Sequence, residues 1–564
     1  MKNYLTSFWV RGLCIIIIFS TLMSSTLAQS NFLVSVLEEE QKRAMNIFKE
    51  KTDLAPYFLS YLVTETQSWN VSASQGVLIS SGSGKNRTLD TVLRVGDFKL
   101  DNTRNRAGFR NSRPLPLEDD KDAIKSVLWT TTDRTYKDAV EAYSQIKTRQ
   151  ETRAAEENIA DDFSQATAKK EFISVAAHKV ALTDLEVRAK KVSAIFKKYP
   201  EIFNSGVSFS VSTTNRYFVS TEGTSLQHGK NLVTLGIQAT TRAEDGMELA
   251  RFETLSAANI AGLPNDEELL RLAENVAKDL MALKNAPLAE PYDGPAILSG
   301  RASGVFFHEI FGHRIEGHRQ KGSTEGNTFT KRVNQEILPP FISVIDDPTV
   351  PKFGQTDLNG FYQFDEEGVP AQKVGLVENG ILKNFLMSRS PIQGFPVSNG
   401  HGRASPGFSP VSRQGNLFVQ TKQTVTNKRL REMLIEEVKK QGKPFGLFLA
   451  DISGGFTSTQ RFGTQSFQVN PIMVYRVYAD GRPDELVRGV DLIGTPLTSF
   501  SKIIAADDKP EIFNGICGAE SGWVPVSAIS PAILVSQIET QKRAKSNRLL
   551  PILPPPGQSG RGEK

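Results

Sequence analysis

Three of the six histidines in this 564-residue chain stand five apart, at His308, His313 and His318, and Glu309 follows the first. Imidazoles beside a carboxylate could hold a metal ion and move a proton. In the H-E-x-x-H pattern of zinc peptidases, histidines at i and i+4 share one helical face. Here the string is His308-Glu309-Ile310-Phe311-Gly312-His313, one residue longer. On a regular α-helix, positions i and i+5 lie about 140° apart. One ion joins them only if the helix is irregular, and a one-residue π-bulge eased by Gly312 is the expected device. Val305, Phe306, Phe307, Ile310 and Phe311 make the surroundings apolar, where uncompensated His and Glu side chains are costly. A hydrogen-bonded core histidine pair with an ion-paired Glu is the alternative to a metal site.

An open tetrahedral site needs three protein ligands. His318 continues the spacing, although Gly317 is expected to end the helix first. Glu316 lies three residues past His313. Cys517 is flanked by glycines in "NGICGAESG", where a backbone turn could present its thiolate. The only other cysteine, Cys14, lies in an apolar run over 13–23. A short basic stretch precedes that run, and small residues Thr26 and Ala28 flank Leu27 after it. This is the pattern of a secretory signal peptide over 1–28, cleaved after Ala28. The run is too short to cross a bilayer as a helix, which takes about 20 residues. The expectation is export to a periplasm or beyond the cell, with no stable membrane span after cleavage. Cleavage leaves Cys517 as the sole cysteine, so no intrachain disulfide can form. A lone thiol in an oxidising compartment survives if it is buried or holds a metal.

The elements that position these residues are partly readable. Residues 31–50 predict a helix with Leu33, Leu37, Ala44 and Phe48 on one face. Residues 117–170 contain no Gly or Pro and read as charged helix. Thr183 and Glu186 form a capping-box pair, as do Asn265 and Glu268. Over 206–255 the period changes: Val207, Phe209 and Val211, then Val233, Leu235, Ile237 and Ala239, alternate with small or polar residues. These are antiparallel strands with one wet face. Three prolines in 284–295 mark a linker. It separates an N-terminal α/β domain over 31–287 from a β-rich, barrel-like domain over 293–540, an α+β architecture. Asn379-Gly380 predicts a tight hairpin and Asp480-Gly481 a weaker one. Residues 541–564 read as a basic, Pro-rich tail. A net charge of +5, without a long basic stripe, argues against a nucleic-acid partner.

"HEIFGHRIEG" (308–317) and "GICG" (515–518) occur in an order and separation that resemble the TldD/PmbA metallopeptidases. "DEEGVPAQKVGLVENGILKNFLMSR", "SNGHGRASP", "SRQGNLFV" and "GVDLIGTPL" extend the resemblance between them, and "RYFVSTEGTSLQHGKNLVTLGIQA" extends it before the linker. The likeness runs over about residues 31–540 and is weakest over 60–170. It implies one zinc per active subunit, with His308, His313 and Cys517 as ligands. It implies Glu309 as the general base that activates a zinc-bound water against peptides or unfolded proteins. It also implies a dimer, with an identical or a related subunit, that encloses the site. His401 and Arg403 in "SNGHGRAS", and Asn416 in "SRQGNLFV", are substrate-binding candidates; a structural Gly-rich loop is the alternative. His318 stands where the family often has an acidic residue and is kept as an alternative ligand. The chain retains the zinc motif that the family's sister subunits lack, so it resembles the active type. A non-catalytic metal-binding subunit of such a hetero-oligomer is the alternative function.

Overall fold

The computed structural model describes residues 32–104, 110–152, 160–321, 328–459 and 467–544. The expected signal segment and residues 545–564 of the tail lie outside the described residues.

The N-terminal half is built on one sheet. Its strands are β1 (Phe58–Ser74), β2 (Val77–Arg94), β3 (Asn111–Pro114), β4 (Lys170–Phe172), β5 (Asn204–Ser220), β6 (Ser225–Arg242) and β7 (Glu248–Ala257). The order is β3-β2-β1-β5-β6, with β4 and β7 both paired to β6. The expected alternation is present: Val207, Phe209 and Val211 point into a core with Val233, Leu235 and Ile237, while Ser208 and Ser210 face water. Helices α3 (Leu182–Ser193) and α4 (Asp266–Asn285) cover that face through Leu185, Val192, Val276 and Leu280. A second core under α1 (32–51) and α2 (Lys121–Thr152) takes Leu33, Leu37, Ile124 and Leu128.

Three local expectations are corrected. The described part of the charged helix runs Lys121–Thr152, and residues 160–169 are not helical. That segment is pinned instead by tertiary bonds: Phe163 donates to the Phe98 carbonyl and Ser164 to that of Arg389. The Phe163 ring is gripped by the guanidinium groups of Arg94 and Arg389, at 3.7 and 3.8 Å. Helix α3 begins at Leu182 with Ala181 as its cap and no side-chain cap bond, so Thr183 falls inside the first turn. At α4 the Asn265 side chain does accept from the Glu268 amide, 3.0 Å. The Glu268 carboxylate turns to Arg271 rather than back to the cap.

After α4, residues 286–291 lead into β8 (Tyr292–Leu298). The remaining strands are β9 (Ile342–Asp346), β10 (Lys352–Phe353), β11 (Thr356–Asp357), β12 (Val374–Glu378), β13 (Ile381–Leu382), β14 (Gly402–Arg403), β15 (Val411–Ser412) and β16 (Asn416–Thr421). They continue with β17 (Phe445–Thr457), β18 (Phe467–Tyr478), β19 (Glu485–Val487), β20 (Val490–Gly494), β21 (Ile503–Ala506), β22 (Glu511–Ala519), β23 (Gly522–Ser530) and β24 (Ile533–Lys542). Strand β24 carries ordered pairing into the first residues of the expected tail. Strands β17, β8, β24, β20 and β18 close into a barrel, because β17 pairs with both β8 and β18. A second sheet runs β13-β12-β9-β16-β23-β22. The tight β12–β13 hairpin turns on Asn379 and Gly380, both at positive φ (48° and 83°), as a type I′ turn requires.

Helix α5 (Gly300–Ile310) lies between barrel and sheet. Ser299 caps it by accepting from the Ala302 amide at 3.1 Å. Phe306, Phe307, Ile310 and Phe311 are at most 1% exposed in one core with Phe467 and Phe500. Each such side chain contributes about 1.5–3 kcal/mol by burial. This anchorage fixes the helix that carries His308 and Glu309. Among the described residues no helix is long and apolar enough to cross a membrane.

Candidate metal centre

The helix irregularity is a termination, not a π-bulge. Helix α5 ends at Ile310, and residues Gly312–Arg314 form a 3-10 turn. The Phe307 carbonyl closes the last regular turn, and two side chains take carbonyls that the helix end leaves unpaired. The Phe307 carbonyl accepts from the Phe311 amide, 3.0 Å. The His308 carbonyl accepts from Gln414 Nε2, 3.3 Å. The Ile310 carbonyl accepts from buried Arg314, 3.2 Å, whose other nitrogen reaches the Ser458 carbonyl at 3.0 Å. A cation at this end also suits the helix dipole. Gly312 is required by packing: a Cβ there would stand 1.9 Å from Gln414 Oε1. The tighter turn swings His313 back toward His308, and the two rings lie 5.1 Å apart.

The third donor arrives from the sheet. Cys517 sits on β22 itself, opposite Val524 of β23, rather than in a turn; the glycines around it serve other contacts. Gly518, for example, lies under the Trp523 ring, 2.7 Å from a would-be Cβ. Cys517 Sγ is 3.3 Å from His313 Nε2. One nitrogen from each of His308 and His313, with Cys517 Sγ, forms a group whose atoms all lie within 4.8 Å of one another, and all three residues are buried. Ligands about 2.0 Å (N) and 2.3 Å (S) from one tetrahedral ion stand roughly 3.5 Å apart, so the spacing fits such an ion. Two imidazoles and a thiolate are also a chemically suitable zinc donor set.

The electrostatics agree with that fit. Burial pushes the Cys517 thiol up, but His313 and His308 outweigh it and hold it well below the usual range. Burial pulls His308 and His313 down, yet the Cys517 thiolate raises both, His313 strongly. The centre therefore carries thiolate charge that a dication can satisfy in place of protons.

Glu309 closes one side. Its Oε2 is 3.8 Å from His313 Nε2. Its Cγ lies against Gly455 of β17, where a Cβ would stand only 2.9 Å away. Glu316 is placed behind the centre rather than in it. It is fully buried, faces His313 Nδ1 at 3.2 Å and accepts from Arg319 Nε at 2.8 Å. Burial opposes its ionisation, but His313 and Arg319 pull its carboxyl to about 2. A carboxylate so placed fixes the orientation of the His313 ring, as such partners do for metal-ligating histidines. Arg413 ties both halves together: it donates to the Cys517 carbonyl at 2.8 Å and lies 3.5 Å from Glu316. Arg413 and Gln414 carry no local signature, since their roles exist only once β16 lies beside α5. The His313-Glu316-Arg319 spacing of three was the one available hint of a supporting chain.

The other candidates fall elsewhere. His318 is outside the donor group, and its Nε2 is committed to Glu520. His401 is fully enclosed, with Nε2 3.2 Å from Asp346 and Nδ1 3.0 Å from the Asn399 carbonyl. Arg403 is 5% exposed, lies over the Tyr362 ring at 4.6 Å and donates to the Gln414 carbonyl. Asn416 is fully buried and donates to the carbonyls of Asp347 and Val350. These three therefore hold loops together and present no open face to substrate.

A two-part α+β fold thus carries, beside a closed barrel, a buried His2Cys group that could hold a metal ion. Residues 291–542 match the model of the PmbA/TldA metallopeptidase C-terminal domain. Over that span, somewhat less than half of its length, the chain is similar to the TldD/PmbA family. It is 31% identical over 270 residues to a metalloprotease of Archaeoglobus fulgidus, covering 48% of this chain and 57% of that relative. It is 26% identical over 258 residues to a zinc metalloprotease TldD homolog of Saccharolobus solfataricus, covering 45% and 52%. The chain thus spans little more than half the length of these relatives. The crystal structure of TldE from Thermococcus kodakarensis shares the fold, with a TM-score of 0.59 over 89% of this chain and 100% of that one, at 14% identity.

Proposed function

We propose that this chain is an exported zinc-dependent peptidase acting on peptides or unfolded proteins. The observation that carries the reading is the Glu309 carboxylate, 3.8 Å from a donor nitrogen of a buried His2Cys group. Zinc, held by His308, His313 and Cys517, would supply Lewis acidity to the scissile carbonyl and to water. Glu309 accepts the proton of the attacking water and returns it to the leaving amine. Glu316 holds His313 in the tautomer that leaves Nε2 free to bind metal. Arg413 and Gln414 hold the backbone of Cys517 and His308, so the donors are set before metal arrives. The family's metalloprotease relatives support the reaction class. The apolar run over 13–23 and the small residues after it support export, testable by N-terminal sequencing of the secreted chain. Pairing with an identical or related subunit belongs to the same proposal, and native mass measurement checks it.

Glu309→Gln is expected to bind stoichiometric zinc and to lose turnover of an unstructured peptide by about 10²–10⁴-fold, the scale of a general base. Normal cleavage by that variant would remove Glu309 from the role.

A further inference from the structure

A cavity of about 990 Å³ lies between the N-terminal sheet and the metal-bearing half, at the upper end of ligand-binding clefts. Its N-terminal wall includes Thr91, Arg94 and Arg110, and its C-terminal wall includes His318, Arg319 and Glu520. Most cations in the wall are already neutralised. Arg94 holds Asp101 at 2.6 Å, Arg104 holds Asp162 at 3.0 Å, Arg389 holds Glu222 at 2.8 Å and Arg319 holds Glu520 at 3.0 Å.

Arg110 differs. Its backbone amide donates to Gly407, but among the described residues its guanidinium makes no hydrogen bond or ion pair, and its Nε is buried without a partner. Asp90, Glu367 and Glu366 lie within reach of its field, but among the described residues none forms an ion pair with it. Asp90 accepts from the Gly407 amide, and burial pushes its carboxyl up. Burial also pushes Glu367 up. Glu366 is taken by Arg216 at 3.2 Å. Burial in turn pulls Arg110 below the ordinary arginine range. Among the described residues two further polar atoms of the N-terminal wall lack partners: the hydroxyl of Thr91, a residue 2% exposed, and Nε of Arg94. An under-neutralised guanidinium beside unpaired donors is a receptor for an anion, and its planar fork matches a carboxylate.

We propose that the cavity anchors a carboxylate of the peptide substrate through Arg110, so that the chain selects peptides bearing an acidic side chain or a free C terminus. The proposal rests on the peptidase reading. The cavity also borders the support of the metal centre: Arg319 in its wall holds Glu316, which faces His313.

The test is equilibrium binding and turnover on the zinc-loaded full chain. Labelled unstructured peptides are compared by fluorescence anisotropy in a matched set: one with Glu, its Gln counterpart, and each with a free or an amidated C terminus. Removing the recognised carboxylate is expected to weaken binding about tenfold or more, the scale of a hydrogen bond to a charged group. A loss on Glu-to-Gln exchange assigns a side chain; a loss on amidation assigns the terminus. Arg110→Met is expected to abolish the difference while binding the neutral peptide as wild type does. Arg110→Lys keeps the charge without the fork and is expected to retain part of the preference, with thermal midpoints confirming that both variants fold. Equal binding of all peptides by the wild type overturns the proposal, as does a preference that survives Arg110→Met. Carboxylate-dependent binding without turnover would overturn the peptidase reading alone. Turnover without carboxylate preference would overturn the cavity assignment alone.

Discussion

The Sγ of Cys517 lies 3.3 Å from Nε2 of His313, across 204 residues of chain. Glu316 takes Nδ1 of His313, which leaves Nε2 facing the thiol. Among the described hydrophobic residues, Cys517 clusters with Val524 and Val526 in a small satellite of the core. Cys517→Ala is therefore expected to lose zinc, while His318→Ala, whose imidazole faces Glu520, retains it. Elemental analysis of both purified variants decides the matter. The opposite pattern would move the third ligand to His318.

Glu316 faces His313 from outside the donor group, so the proposed centre is expected to depend on it. Glu316→Gln keeps the shape but loses the charge that His313 and Arg319 share. Loss of such a partner costs about 10–100-fold in metal affinity. Competition with a calibrated chelator measures it, and an unchanged affinity would show that Glu316 only packs.

Gly312 and Gln414 are expected to be coupled. Gly312→Ala forces a Cβ onto the Gln414 amide, 1.9 Å from its oxygen. Overpacking of this kind costs about 1–3 kcal/mol. Adding Gln414→Ala should recover part of that loss, although it leaves the His308 carbonyl without its donor. Denaturant unfolding of the two single variants and the double variant tests this, since contacting pairs deviate from additivity by about 0.5–3 kcal/mol. Strict additivity would count against the clash.

His228 supplies an acid-sensitive element outside the donor group. It is 3% exposed on β6, beside Phe364 at 5.5 Å, and burial pulls its imidazole down to about 3. In the unfolded chain it titrates near 6.5. Between these values the unfolded state binds the extra proton, so stability is full above about pH 6.5 and falls as the pH drops toward 3. The loss reaches at most roughly 5 kcal/mol. His228→Phe should flatten this limb, seen as a smaller difference in unfolding free energy between pH 4 and pH 7. Parallel curves for both proteins would show that His228 protonates as easily when folded.

Much of the local structure was legible before any coordinates. The alternation at 207–211 and 233–239 named two core strands, Asn265 named a helix start, and Asn379-Gly380 named a hairpin. The H-E-x-x-x-H spacing announced an irregular helix, yet not which irregularity. The choice between a bulge and a stop depended on Gln414 and Arg314 reaching the last carbonyls, and Gln414 lies about a hundred residues away in the chain. Thr183 failed as a cap because the helix started one residue earlier, a boundary that local preference sets only weakly.

The sequence by itself determined the donor types, the carboxylate beside them, the glycine that lets the turn close and the alternation that builds the sheets. These are properties of neighbours along the chain, where spacing maps directly onto direction. Tertiary structure alone decided which cysteine face meets His313, that Glu316 faces His313 from outside the donor group, that His318 belongs to Glu520, and that His401, Arg403 and Asn416 are enclosed. Those outcomes depend on how β16 and β22 pack around α5, and packing joins residues by shape and burial, whatever their separation in sequence.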